Sequence, residues 1–142
     1  MATPKQGTLR GAQREDDMPQ TLSTRRTGDQ SMSSKMQECL HNCQECARIC
    51  WETLAYCTQQ GGRHVEAAHL EALLDCAQIC ETSTSLLARG SELHTKFCEV
   101  CAEACKRCQE SCEQFGDDAQ MRACADACKR SAQSCEEMAR AH

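Results

Sequence analysis

The spacing of 15 cysteines constrains this 142-residue chain more than any other feature of its sequence. From Cys39 onward they recur in steps of three, four or seven residues within each of four successive stretches. Such steps place side chains on one stripe of an α-helix, the heptad seam that faces the interior of a bundle. The seam positions are Cys39, Cys43, Cys46, Cys50, Cys57, Cys76, Cys80, Cys98, Cys101, Cys105, Cys108, Cys112, Cys124, Cys128 and Cys135. The sequence therefore predicts helices with a buried seam of thiols.

The rest of the composition leaves little material for an ordinary core. Leu, Ile, Val and Phe together number 16 of 142 residues, well below the ~20% expected of a folded chain. A free cysteine packs as a small hydrophobe, but cysteines used only as packing would leave an under-filled core at every level. We therefore expect the thiols to bind something that fills the space between the helices.

Glycine punctuates the cysteine-rich part of the chain. Gly61-Gly62, Gly90 and Gly116 divide it into four stretches of about 25 residues, each rich in good helix formers. The expected fold class is all-α, an up-down-up-down four-helix bundle with a cysteine-lined core.

Helix starts and the domain boundary are also predicted from local sequence. Ser91, and the pair Asp117 and Asp118, are predicted N-caps. Residues 1–31 lack cysteine and contain both prolines, so we predict a disordered N-terminal tail. Residues 32–142 are predicted to form the metal-binding bundle domain.

The sequence also limits the compartment and the partners. Polar residues follow Arg25 and Arg26 where an export signal would place an apolar run, so we expect a cytoplasmic protein whose thiols stay reduced. No apolar stretch approaches the ~18 residues of a membrane span. The net charge of −5 and the few aromatic residues argue against nucleic-acid binding.

The cysteine spacing favours Cu(I) over other metals. Zinc prefers closed Cys₄ tetrahedra built on turns, and the iron–sulfur run with its terminal proline does not occur. Cu(I) is soft, seeks thiolates and accepts two or three ligands. If each thiolate bridged two ions and each ion took two thiolates, about 15 ions would fit by coordination counting. C-x-x-x-C pairs, such as Cys39/Cys43 and Cys76/Cys80, would each clasp an ion along one helix face.

These C-x-x-x-C pairs on all four predicted helices resemble the cysteine-rich four-helix-bundle copper storage proteins of bacteria. The densest matching segment runs from Cys98 to Cys108, and the resemblance covers about residues 35–140. This resemblance implies a homotetramer of bundles, each storing many Cu(I) ions on core thiolates. Within the family, the chain resembles the cytosolic branch. His69 stands where relatives can carry a seam cysteine.

The resemblance also implies that one end of the bundle admits copper. Up-down-up-down topology gathers five candidate ligands at that end: Cys57, His64, His69, Cys112 and Met121. His69 and Cys57 are the main candidates for entry, assisted by His64 and Met121. The topology assigns six residues to the opposite end: Met36, Cys80, His94, Cys98, Cys135 and Met138. His94 is a candidate cap there.

Two other functions remain open at this point. A zinc or other soft-metal buffer would use the same thiols, because thiolate clusters bind most soft ions. A thiol redox protein would use C-x-x-C pairs such as Cys43/Cys46, although that motif normally begins a helix in a βαβ setting. No catalytic triad or phosphate-binding loop is visible, so we do not expect an enzyme.

Overall fold

The computed structural model describes residues 32–140, and within this range the chain folds into four α-helices without strands. Their bounds are α1 Ser34–Gln60, α2 Ala67–Arg89, α3 His94–Glu113 and α4 Ala119–Arg140. A short 3-10 turn, Gly62–Val65, lies in the first link. The all-α prediction is confirmed. The predicted tail over residues 1–31, and the last two residues of the predicted domain, lie outside the described residues.

The helices form a closed ring of neighbours. α1 packs on α2, α2 on α3, α3 on α4, and α4 returns to α1. Short links make consecutive helices antiparallel, which is the predicted up-down-up-down arrangement. Each helix therefore turns one face inward, and the four seams meet along a common axis.

Glycine ends α2 as the sequence predicts. Gly90 has φ +67° and ψ +33°, a left-handed conformation that costs glycine little because it has no Cβ. Its N–H and that of Ser91 bond the last carbonyls of the helix, at Leu86 and Leu87. These bonds satisfy groups that a helix end otherwise leaves without partners.

One of the two predicted helix starts is wrong. Asp118 caps α4, since its Oδ1 accepts a hydrogen bond from Met121 N at 3.1 Å. Ser91 does not cap a helix at Glu92. Instead Ser91 Oγ accepts from Leu93 N, and its carbonyl accepts from His94 N, so a turn precedes α3. The helix consequently begins two residues later than expected.

The core is made largely of sulfur. All 15 cysteines are at most 1% exposed, and aliphatic side chains such as Leu40, Ile49 and Leu70 pack around them half-buried. Within residues 32–140 no helix combines the length and apolar character required to cross a bilayer. The heptad prediction is therefore confirmed for every cysteine.

Candidate metal centre

The cysteine sulfurs form a tube along the bundle axis. Neighbouring Sγ atoms approach to 3.6–4.0 Å, as in Cys46–Cys76 at 3.6 Å and Cys46–Cys128 at 3.7 Å. These distances correspond to weak S–H···S hydrogen bonds between free thiols and are far longer than a disulfide bond. The tube is a continuous lining of reduced sulfur.

Most of the close sulfur contacts join different helices. Cys135 of α4 lies 3.7 Å from Cys39 and 3.6 Å from Cys43, both on α1. The C-x-x-x-C pair Cys76/Cys80 is also in contact, at 4.0 Å. Side chains that point inward from four helices meet at the axis, whereas two residues one turn apart are separated by the helix pitch. Sulfur contacts within one helix, as the C-x-x-x-C spacing predicts, therefore occur together with sulfur contacts between helices.

The sulfurs gather into groups suited to a soft metal ion. In five groups, three or four Sγ atoms all lie within 4.8 Å of one another. The groups, in order from one end, are Cys50/Cys108/Cys124/Cys128, Cys46/Cys50/Cys76/Cys128, Cys46/Cys76/Cys80/Cys105, Cys43/Cys80/Cys101 and Cys39/Cys43/Cys135. Each shares at least one cysteine with the next. Shared thiolates are what a multinuclear Cu(I) array requires, because each sulfur can bridge two ions.

Three seam positions carry hydroxyl groups in place of thiols. Thr53 Oγ1 accepts a hydrogen bond from Gln120 Nε2 at 2.9 Å. Ser131 Oγ lies among Cys43, Cys80 and Cys105. Ser83 Oγ is buried and has no hydrogen-bond partner within residues 32–140. Thr53 and Ser131 therefore interrupt the ladder of thiols with oxygen, which is a weak ligand for Cu(I).

The end of the tube formed by the first and third links brings together the two main entry candidates. We call this end the mouth. Cys57 Sγ lies 3.5 Å from His69 Nε2, and His69 Nδ1 lies 2.7 Å from Ser111 Oγ. The imidazole is 4% exposed. The serine contact fixes the ring orientation, as outer partners commonly do for metal-binding histidines.

Burial sets the protonation of this pair. It lowers the pKa of His69 and raises the pKa of Cys57 to about 11. At neutral pH the pair is therefore a neutral imidazole beside a protonated thiol. Neutral imidazole is the form that binds metals, and a bound ion would displace the thiol proton.

Sulfur contacts keep one thiol in the middle of the tube protonated before metal arrives. Contact with Cys101 first, and then with Cys46 and Cys76, raises the pKa of Cys105 well above its usual value. A soft cation that binds Cys105 must release a proton to solvent.

His64 lies at the mouth but is held by a carboxylate. Its Nε2 is 3.0 Å from Asp118 Oδ2, which also accepts a hydrogen bond from Tyr56 OH at 2.8 Å. Burial raises the pKa of Asp118, but these hydrogen bonds and the one from Met121 N outweigh it, and the pKa lies below its usual range. The His64 side chain is 19% exposed. The structure thus places this candidate beside an acid at the rim.

An aromatic ring separates the two mouth histidines. The Phe115 ring centroid lies 4.5 Å from that of His64 and 4.7 Å from that of His69. The Arg63 guanidinium covers the same ring at 4.9 Å and donates to Gln114 O at 3.0 Å. The links 61–66 and 114–118 are therefore tied together over the mouth. Sequence reasoning missed this arrangement, since its contacts join distant positions.

Of the other residues predicted at the two ends of the tube, one lies elsewhere. Met121 is fully buried at the start of α4, and Met138 is 5% exposed near its end. His94 Nδ1 donates to Ser91 O at 2.7 Å and is half-buried. Cys80 was predicted at the far end, and this is wrong. It contacts Cys76, Cys101 and Cys105 in the middle of the tube.

The remaining predicted thiols also lie in the tube. Cys112 is buried beside Cys108 and Cys124, towards the mouth. Cys98 is buried beside Cys135 and Cys39, at the opposite end.

A protein-family comparison agrees with this arrangement. The model of the copper storage protein family matches residues 32–140. The chain belongs to the copper storage protein family. Among curated proteins, none matches this sequence.

Several solved structures resemble this chain. A protein from Nitrosospira multiformis is 38% identical, covers 76% of this chain and 97% of its own, and superposes with a TM-score of 0.72. The Cu(I)-bound copper storage protein BsCsp3, from Bacillus subtilis, is 25% identical over 75% of this chain and 99% of its own, with a TM-score of 0.70. A copper storage protein of Streptomyces lividans, loaded with 10 copper equivalents, is 22% identical over 78% and 91%, with a TM-score of 0.66, and supports the fold alone.

Family membership decides between the functions that the sequence left open. The chain is a copper storage protein with a core suited to Cu(I) thiolate binding, and neither the zinc buffer nor the thiol redox protein is favoured. The C-x-x-C pair Cys43/Cys46 is fully buried, so a redox partner would have no access to its sulfurs.

Proposed function

We propose that this copper storage protein holds Cu(I) as one continuous thiolate-bridged array, with a capacity close to one ion per cysteine. The observation that carries the proposal is that each of the five thiol groups shares a cysteine with the next. When each thiolate serves two ions and each ion takes two thiolates, the count of ions equals the count of sulfurs. The 15 free, buried thiols set the limit. All of these cysteines are proposed metal ligands.

Copper enters, in this proposal, at the mouth. Cys57 and His69 supply a sulfur and a nitrogen ligand 3.5 Å apart, and Cys124 of the first four-thiol group is near enough to act electrostatically on both. Met121 offers a thioether within the same end of the core, and His64 is a rim ligand once it leaves Asp118. His94 closes the far end of the tube.

Binding exchanges metal for protons. Each Cu(I) that enters replaces the proton of one thiol, which leaves for solvent, so the charge of the core stays neutral. A neutral array suits a site that water does not reach. We therefore expect about one proton released per ion bound.

The proposed setting is the cytoplasm, where thiols stay reduced without an added reductant. The protein acts there as a sink and reserve for copper ions, without catalysis and without nucleic-acid or membrane partners. The assembly is proposed to be a homotetramer, by analogy with the family resemblance. Sedimentation of the metal-free and loaded protein measures this directly, and a monomer would contradict it.

The decisive experiment is an anaerobic Cu(I) titration of reduced, metal-free protein against a chromophoric chelator. A parallel titration uses Zn(II), and a proton-sensitive dye follows release. We expect tight uptake of about one Cu(I) per cysteine with weak zinc binding. Saturation at three or four ions, or displacement of copper by zinc, would contradict the array. Full-length protein with its thiols alkylated is the control and should bind almost nothing.

A further inference from the structure

A hydroxyl group replaces a thiol at one level of the tube. Ser131 Oγ lies 3.6 Å from Cys43 Sγ, 3.8 Å from Cys80 Sγ and 3.3 Å from Cys105 Sγ. Those cysteines belong to α1, α2 and α3, so the serine on α4 is the fourth corner of their level. The side chain is 0% exposed. Its hydroxyl therefore finds hydrogen-bond partners among the thiols and not in water.

The thiol groups change size at this level. Both groups that contain Cys43 have three members, whereas the three groups nearer the mouth have four. On α4 the seam runs through Cys128 to Ser131 and then to Cys135. A sulfur ligand is thus missing from the seam where the smaller groups begin.

We propose that Ser131 is a positioning residue that donates a hydrogen bond to the copper-binding thiolates around it and makes this level the weakest-binding part of the array. The inference rests on the proposed function. A neutral alcohol oxygen is a hard donor and does not compete with thiolate for a soft ion. A hydrogen bond from the serine O–H withdraws electron density from a thiolate sulfur. That sulfur then donates less electron density to the metal.

The direction of the bonds changes when copper arrives. In the metal-free tube the Cys105 thiol donates to Ser131 Oγ, and the single serine O–H is free to point to Cys43 or Cys80. Once Cu(I) has displaced the thiol protons, donation from sulfur ends and the serine O–H remains as a donor. The serine O–H therefore affects how tightly copper is held in the loaded protein.

Two substitutions separate this role from the alternatives. Ser131→Ala removes the donor and should leave the Cu(I) capacity unchanged. It should make the most easily extracted ions about fivefold harder to remove by chelator, the worth of one ordinary hydrogen bond. Ser131→Cys completes the fourth corner and should raise capacity by one ion. Because cysteine is close to serine in size, the Ser131→Cys variant still tests the proposal if the Ser131→Ala variant folds poorly.

Ser134 provides matched controls on the same helix. It is 6% exposed, and its Oγ accepts a hydrogen bond from Asn42 Nδ2 at 2.6 Å. Ser134→Ala and Ser134→Cys should change neither the capacity nor the extraction of the weakest ions. Circular dichroism confirms that each variant keeps its helices before copper is added.

Each other outcome would contradict part of the proposed role of Ser131. A loss of one ion in Ser131→Ala would make the hydroxyl a ligand. Unchanged extraction in that variant would reduce the serine to a space-filler, and unchanged capacity in Ser131→Cys would refute the fourth corner. Wild-type protein is titrated alongside. If it took up no Cu(I), the proposed function would fail, whereas normal wild-type uptake with identical variants would refute only the role of Ser131.

Discussion

The thiol at each seam position can serve both as a packing group and as a metal ligand. As S–H it is small and weakly polar, so it packs in the metal-free core much as an apolar residue does. As S⁻ it is a strong ligand for soft metals. Cys105 illustrates both, since its raised pKa keeps it protonated until a metal competes for the sulfur.

Removal of one seam cysteine tests whether ions occupy separable positions. Cys105→Ala should lower Cu(I) capacity by about one ion and keep the helical fold, because each group can lose one member and retain others. Chelator titration with circular dichroism measures both. A collapse of capacity to zero would instead indicate a single all-or-none cluster.

His69 is expected to govern the rate of loading. His69→Ala removes the nitrogen ligand 3.5 Å from Cys57 Sγ and should slow Cu(I) uptake by tenfold or so, at nearly unchanged capacity. Stopped-flow mixing with a Cu(I)–chelator complex measures the rate. His41→Ala, at an exposed position on α1, is the matched control and should load normally. Equal rates in the two variants would remove His69 from the entry route.

Cys80 shows what a heptad pattern leaves undetermined. The pattern fixes which face of a helix is buried, because it depends only on the angle between residues. It does not fix how far one helix slides along its neighbour. The first link contains a 3-10 turn that the sequence did not predict, and Cys80 lies in the middle of the tube and not at its end.

At the scale of the elements, the links hold the mouth together. Gly61, Gly90 and Gly116 were predictable because a positive φ is encoded locally by glycine. Asp118 was predictable as a cap because a cap also depends on local sequence, here on a carboxylate three residues before Met121. Its bonds to His64 and Tyr56 were not predictable, since those partners are 54 and 62 positions away.

Asp118 should therefore matter more than an ordinary cap. Asp118→Ala removes the acceptor of Met121 N, His64 and Tyr56, and should lower the unfolding free energy of the metal-free protein by about 2 kcal/mol. Chemical denaturation measures the loss. Asp117→Ala, at the exposed neighbouring position, is the control and should cost much less. Equal stabilities would show that the carboxylate does not fasten the two links.

For the whole molecule, a metal cargo bound in the proposed array would also cross-link the helices. The close sulfur contacts join all four helices, so ions bound across them tie together elements that otherwise meet through small side chains. The family and fold were accessible from sequence because the cysteine seam is repeated on each helix. The order of the thiol groups required the three-dimensional register.

Copper loading should accordingly stabilise the fold. Ligand that binds only the folded state raises the unfolding free energy, so fully loaded protein should melt at a higher temperature than metal-free protein. Differential scanning calorimetry under nitrogen at several Cu(I) equivalents measures this. Zn(II) at equal equivalents is the comparison and should shift the melting temperature less. A melting temperature independent of copper would contradict binding across helices.

The overlap of neighbouring thiol groups has a statistical consequence. Because each group shares a cysteine with the next, the proposed array should behave as a one-dimensional lattice with nearest-neighbour coupling. An ion at one position would deprotonate and orient a sulfur of the adjoining position, so occupied stretches should grow from their edges. At half saturation, native mass spectrometry should therefore find molecules that are nearly empty or nearly full in excess over a binomial distribution.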